Sequence, residues 1–91
     1  SERELAAKLL SAKTESDQNA LLEAEPDLIT VELVQALRKH AETFTQRREL
    51  SQALIALRLT RSIAERIGDE QNIQSTAWPL IIIRAENISR L

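Results

Sequence analysis

A chain of 91 residues with one glycine and two prolines has few places at which it can reverse sharply. Tight two-residue hairpin turns need a positive φ, which glycine supplies best, so a sandwich or barrel built from many such hairpins is excluded. Ala, Leu, Glu, Gln and Arg are abundant instead, and all five favour helix. The expected class is all-α. At about 100–200 residues per domain there is room for one core, so residues 1–91 are read as a single helical domain. Hydrophobic residues at 43% and charged residues at 29% are ordinary globular values, and such a chain folds rather than staying disordered.

Helical periodicity divides the chain into about five antiparallel segments. Leu5, Leu9 and Ala12 make one stripe, and Glu2 and Glu4 lie in the first turn, where the macrodipole favours acids. Thr14 to Ser16 supply capping residues for a second helix of about two turns, with Ala20, Leu21 and Ala24 as its stripe and Pro26 as its stop. Thr30 is the expected N-cap of a third helix over residues 31–46, whose apolar stripe is Val34, Leu37, Ala41 and Phe44. The polar run Gln46 to Glu49 reads as a turn. From Leu50 two stripes run together, Leu50-Ala53-Leu57-Ala64-Ile67 and Leu54-Ile55-Leu59-Ile63, so the fourth helix is expected to lie between neighbours. Gly68 is placed to end it in a left-handed cap, and Asp69 starts a fifth helix. Ile73, Ala77, Leu80 or Ile81, Ala85 and Ile88 continue a helical period there, with a kink or restart expected at Pro79. The run Leu80 to Ile83 also suits a buried strand, but a lone strand has nothing to pair with, and helix is the reading taken.

Two helices joined by a tight turn with small residues between them raise the question of a repeat. The pair over residues 31–67 resembles a tetratricopeptide repeat. Leu37 takes the tryptophan place of that pattern, His40 the leucine place, Ala41 the small place, Phe44 the tyrosine place, Ala53 the alanine place and Leu57 the following aromatic place. Ala41 and Ala53 would let two backbones approach while Leu37, Phe44 and Leu57 fill the space around them. The sequence departs from the pattern at Arg48, where a turn glycine is usual, at His40, and in lacking the closing proline. Ala64 to Asp69 resembles the long-helix repeats of bacterial signalling proteins, and Ala20 to Thr30 resembles a segment ahead of such arrays in proteins with a caspase-like CHAT domain. The resemblance implies a right-handed helical array, truncated here, because one repeat and half of another fall short of the ~3 that stability usually needs.

Little in the chain suggests catalysis. Cysteine is absent, so there is no disulfide or thiolate nucleophile, which fits a reducing, cytoplasmic setting. Nothing reads as a signal peptide, and the longest apolar run is far below the ~20 residues a bilayer requires, so no membrane partner is expected. The lone histidine, His40, cannot build a multi-histidine metal site and reads as a half-buried packing residue rather than a base. One glycine cannot make a phosphate-cradling loop. Glu23, Glu25 and Asp27 around Pro26 read as solvated loop acids, with a calcium site as the alternative. Capping accounts for Thr14, Ser16 and Thr30. No enzyme, cofactor or metal is expected.

The reading that remains is a non-catalytic protein-interaction or scaffolding module of a larger bacterial signalling protein. The repeat register places Gln35, Arg38, Glu42, Thr45 and Gln46 on a partner-binding groove, and Arg38 with neighbouring Lys39 suggests an acidic protein or peptide, although a charged helix face is usually plain solvated surface. The alternative is nucleic-acid binding through the basic hairpin 38–66, using Arg38, Lys39, Arg47, Arg48, Arg58, Arg61 and Arg66. The net charge of −2 and the absence of interleaved aromatics weigh against nucleic acid. A third reading pairs residues 33–66, with three acids and seven bases, against the acidic residues 1–32, with eight acids and three bases. In the fifth helix, Trp78, Leu80, Ile81, Ile82, Ile83 and Ile88 surround more of the circumference than one neighbour covers. Trp78, Ile82 and Ile83 are therefore expected to contact a further helix or to form a homodimer.

Overall fold

A computed structural model describes the backbone of residues 1–89 and the side chains of residues 1–86. Its elements are α1 (Glu2–Ser11), α2 (Glu15–Ala24), a 3-10 turn (Pro26–Leu28), α3 (Val31–Gln46), α4 (Leu50–Ile67) and α5 (Glu70–Ser89). The protein is all-helical, with no strand among the described residues.

Side-chain caps start the first three helices. Ser1 accepts from the Glu4 amide, Thr14 from the Asp17 amide at 3.1 Å and Thr30 from the Leu33 amide at 3.4 Å, each satisfying one orphan N–H. Thr30 also donates its hydroxyl to Glu2 Oε2 at 3.0 Å, which ties the start of α1 to the start of α3. α2 is longer than two turns, with ten residues, and its stripe is not the expected one. Ala20 and Ala24 are exposed, Leu21 is half-buried and Leu22 is buried. A ten-residue helix with apolar residues at 20, 21, 22 and 24 has two faces to choose from, and packing selects the one that carries the single Leu22.

The helix ends share one device. Glu49 N–H donates to Phe44 O at 2.9 Å and Arg48 N–H to Thr45 O, while at the end of α4 Asp69 N–H donates to Ala64 O at 2.8 Å and Gly68 N–H to Glu65 O. Both are Schellman closures, which require a left-handed residue after the helix. Gly68 has φ 72° and Arg48 has φ 60°, so the turn position where the repeat pattern favours glycine does take the glycine conformation, on an arginine.

α4 lies between its neighbours, as its two stripes imply. Its C-terminal half contributes Leu59, Ile63 and Ala64 to a cluster with Leu5 and Leu9 of α1, Leu22 of α2, and Leu33, Val34 and Leu37 of α3. Its N-terminal half contributes Leu50, Ala53, Ala56 and Leu57 to a second cluster with Ala41 of α3 and with Leu80 and Ile83 of α5. Each fully buried leucine stabilises by about 1.5–3 kcal/mol, so α4 is the element on which both halves depend. Its Ile55, counted in the sequence stripe, is exposed.

α5 runs through Pro79 without a restart. Its inward face is Asn72, Thr76, Leu80 and Ile83; of the expected period of Ile73, Ala77, Leu80 or Ile81, and Ala85, Leu80 is buried, Ile73 and Ala77 are half-buried, and Ile81 and Ala85 are exposed. Ile88, the last member of that period, lies outside the residues whose side chains are described. Thr76 is buried because its hydroxyl donates to Asn72 O at 2.9 Å and Ile73 O at 3.0 Å, leaving only its methyl to pack. Thr60 on α4 does the same through Ala56 O at 2.7 Å.

Candidate functional site

Gln35, Arg38, Lys39 and Glu42 project from one side of α3 and, together with Gln71 and Asn72 at the start of α5, line a surface groove of about 380 Å³. The groove exists because both helices pack on α4 and stand side by side. Arg38 links its two sides: Nη1 donates to Asn72 Oδ1 and to Ser75 Oγ, each at 2.9 Å. Asn72 is in turn held by Asp69, which accepts its amide N–H at 3.3 Å and its side-chain N–H at 2.6 Å. Glu42 approaches Arg38 Nε at 4.0 Å, the outer limit of an ion pair.

Arg38 is thus half-buried and committed to α5, not free on an exposed face beside Lys39. The reason is length: a guanidinium on α3 spans the gap to α5, where two neutral acceptors meet it. Lys39 and Glu42 are exposed. Thr45 and Gln46 are exposed too, but stand at the far end of α3 and do not line the groove, and Thr45 donates its hydroxyl to Ala41 O at 2.8 Å. Gln71, Asn72 and Ser75 are groove residues that sequence reasoning missed. Their available signal is spacing, since Asn72 lies 34 positions after Arg38, the length of one tetratricopeptide repeat.

His40 is half-buried and stacked on Phe44, with ring centroids 6.3 Å apart. The remaining bases do not form one stripe. Arg61 pairs with Glu65 at 3.0 Å along α4, and Arg58 lines a hollow with Lys13 of the α1–α2 connection and Glu15 of α2, away from the groove. Both ion pairs among the described residues are four positions apart within a helix, so none joins the basic 33–66 segment to the acidic 1–32 segment. Hydrophobic packing of Leu5, Leu9 and Leu22 against Leu33, Val34, Leu37 and Ile63 holds those parts together instead. Glu23, Glu25 and Asp27 are exposed.

On α5, Trp78 is 67% exposed, Ile81 57% and Ile82 39%, and Ala85 continues the stripe at spacing i, i+3, i+4, i+7. Ile83, expected to share that outward contact, is 4% exposed and belongs to the core with Leu50 and Ala53. It lies on the opposite side of the helix from Trp78. Among the described residues, no helix is long and apolar enough to cross a membrane. No family model, curated protein or solved structure matches the chain.

Proposed function

We propose that this chain is a non-catalytic protein-interaction module, a tetratricopeptide-like right-handed helical array within a larger bacterial cytoplasmic signalling protein, and that the α3–α5 groove is its contact face. The observation that carries the reading is the bridge from Arg38 to Asn72 and Ser75, which holds α3 and α5 on either side of one polar groove, the arrangement expected of the first helices of successive repeats. In a helical array that is the geometry of a concave binding face, with Gln35, Gln71 and Lys39 offering hydrogen bonds to a peptide and Arg38 holding the wall. Dispersed bases and the absence of interleaved aromatics favour a protein over nucleic acid. A photo-crosslinking residue at Gln71, compared with one at Ser62 on α4, tests this in cells. A nuclease-resistant protein adduct formed from position 71 alone is the expected result; equal adducts from both positions, or adducts to nucleic acid, would remove the groove.

A second contact is supported by the α5 stripe. Antiparallel pairing of α5 with α5 of a second copy, centred between Ile81 and Ile82, sets Trp78 of one chain over Ala85 of the other, large against small. Sedimentation velocity of the wild type and of Ile82→Glu reads this directly. Concentration-dependent association in the former and a monomer in the latter is expected, whereas a wild-type monomer at high concentration would exclude it.

A further inference from the structure

Next to the groove across Lys39, α1 and α3 border an open hollow of about 280 Å³ lined by Arg3, Ala36, Lys39, His40 and Thr43. We infer that this hollow is an anion site that takes a phosphoryl group, with Arg3, Lys39 and His40 as its donors. Three observations carry the inference. No carboxylate lines the hollow, although the chain holds more acids than bases; Glu2 and Glu32 line the adjoining hollow, which shares Arg3, Ala36 and Lys39 with this one, and Glu2 accepts the Thr30 hydroxyl. Neither Arg3, Lys39 nor His40 takes part in an ion pair among the described residues, so their donors are not consumed within the fold. The three come from two helices joined by tertiary packing, and His40 is held in place by its stack on Phe44 while presenting an N–H in either protonation state.

Three N–H-bearing side chains, two of them cationic, suit a phosphoryl group, since several phosphate oxygens can each accept a charge-assisted hydrogen bond. Ala36, Thr43 and His40 are half-buried, which gives the hollow a floor, while Arg3 and Lys39 are exposed at its rim and free to close on a ligand. The inference rests on the proposed contact face only through Lys39, which lines both surfaces.

The test is an amide chemical-shift titration of the full chain at fixed ionic strength. The ligands are inorganic phosphate, a short glycine peptide carrying one phosphoserine, and the same peptide unphosphorylated. Saturable shifts confined to the surroundings of Arg3, Ala36, Lys39, His40 and Thr43 are expected, with affinity lowered at least fivefold in Arg3→Gln and in Lys39→Gln. His40→Gln is expected to weaken it less, and Arg58→Gln not at all. Tighter binding of the phosphopeptide identifies a group carried on a partner, and equal or tighter binding of inorganic phosphate identifies a free anion; both support the site. Linear, unsaturated shifts spread over Arg47, Arg48 and Arg58 as well, or equal affinity in the Arg3 and Lys39 variants, would overturn it. A Gln71→Ala variant, which touches the groove alone, keeps failure of the contact face distinguishable from failure of this site.

Discussion

The Nη1 nitrogen of Arg38 on α3 lies 2.9 Å from Oδ1 of Asn72 on α5, across 34 residues of sequence. Arg38→Ala is expected to leave a nearly buried Asn72 without this donor and to lower stability by about 1–2 kcal/mol. Urea unfolding checks the cost. Because Arg38 is structural, Arg38→Glu cannot serve as a clean test of ligand charge. Lys39→Glu, on an exposed side chain, is the variant expected to change binding to an acidic partner while leaving the unfolding midpoint unchanged.

Ala41 and Ala53 are buried in one cluster, with Leu50 and Leu57 around them. Enlarging either to leucine is expected to overpack the α3–α4 contact and cost ~1–3 kcal/mol. The same substitution at Gln52 or Ser62, both exposed, should be nearly silent in thermal melts. Wild-type melting of Ala41→Leu and Ala53→Leu would show that the two helices do not meet through these residues.

Ile82 and Ile83 are adjacent in sequence and opposite in environment, at 39% and 4% exposure. Ile82→Glu should keep wild-type helicity by circular dichroism, because its carboxylate stays hydrated. Ile83→Glu should unfold or severely destabilise the chain, since it puts an unpaired carboxylate into the cluster around Leu50, Ala53 and Leu80. Equal stability of the two variants is the outcome that contradicts this packing.

Arg48 and Gly68 occupy equivalent left-handed positions after α3 and α4, and opposite substitutions should act with opposite signs. Arg48→Gly relieves a non-glycine residue of positive φ and is expected to stabilise by about 0.5–1 kcal/mol. Gly68→Ala meets no atom within 4 Å at the new Cβ, so only backbone strain remains, and a loss of about 1 kcal/mol is expected. Differential scanning calorimetry of the pair reads both.

The sequence by itself determined the all-helical class, the extent of α3 from Thr30 to Gln46, and the end of α4 at Gly68. Each is a local property: a hydroxyl at a cap, one glycine where φ must be positive, apolar residues at a 3.6 period. It also placed α4 between neighbours, because two stripes on one helix leave no solvent side wide enough for an edge.

Only the tertiary structure decided which faces close. α5 is apolar around most of its circumference, so its pattern carries no direction, and docking on α4 selected Thr76, Leu80 and Ile83 over Trp78, Ile81 and Ile82. The same holds for Leu22 in α2, and for Arg38, whose exposed reading failed because its acceptors lie on a helix that periodicity cannot place beside it. Arg3 and His40 likewise line one hollow only because α1 packs on α3. Helix formation is governed by neighbours within four positions, whereas the groove, the anion hollow and the outer stripe of α5 depend on contacts between side chains tens of residues apart, whose geometry appears only once α4 has gathered both halves of the core.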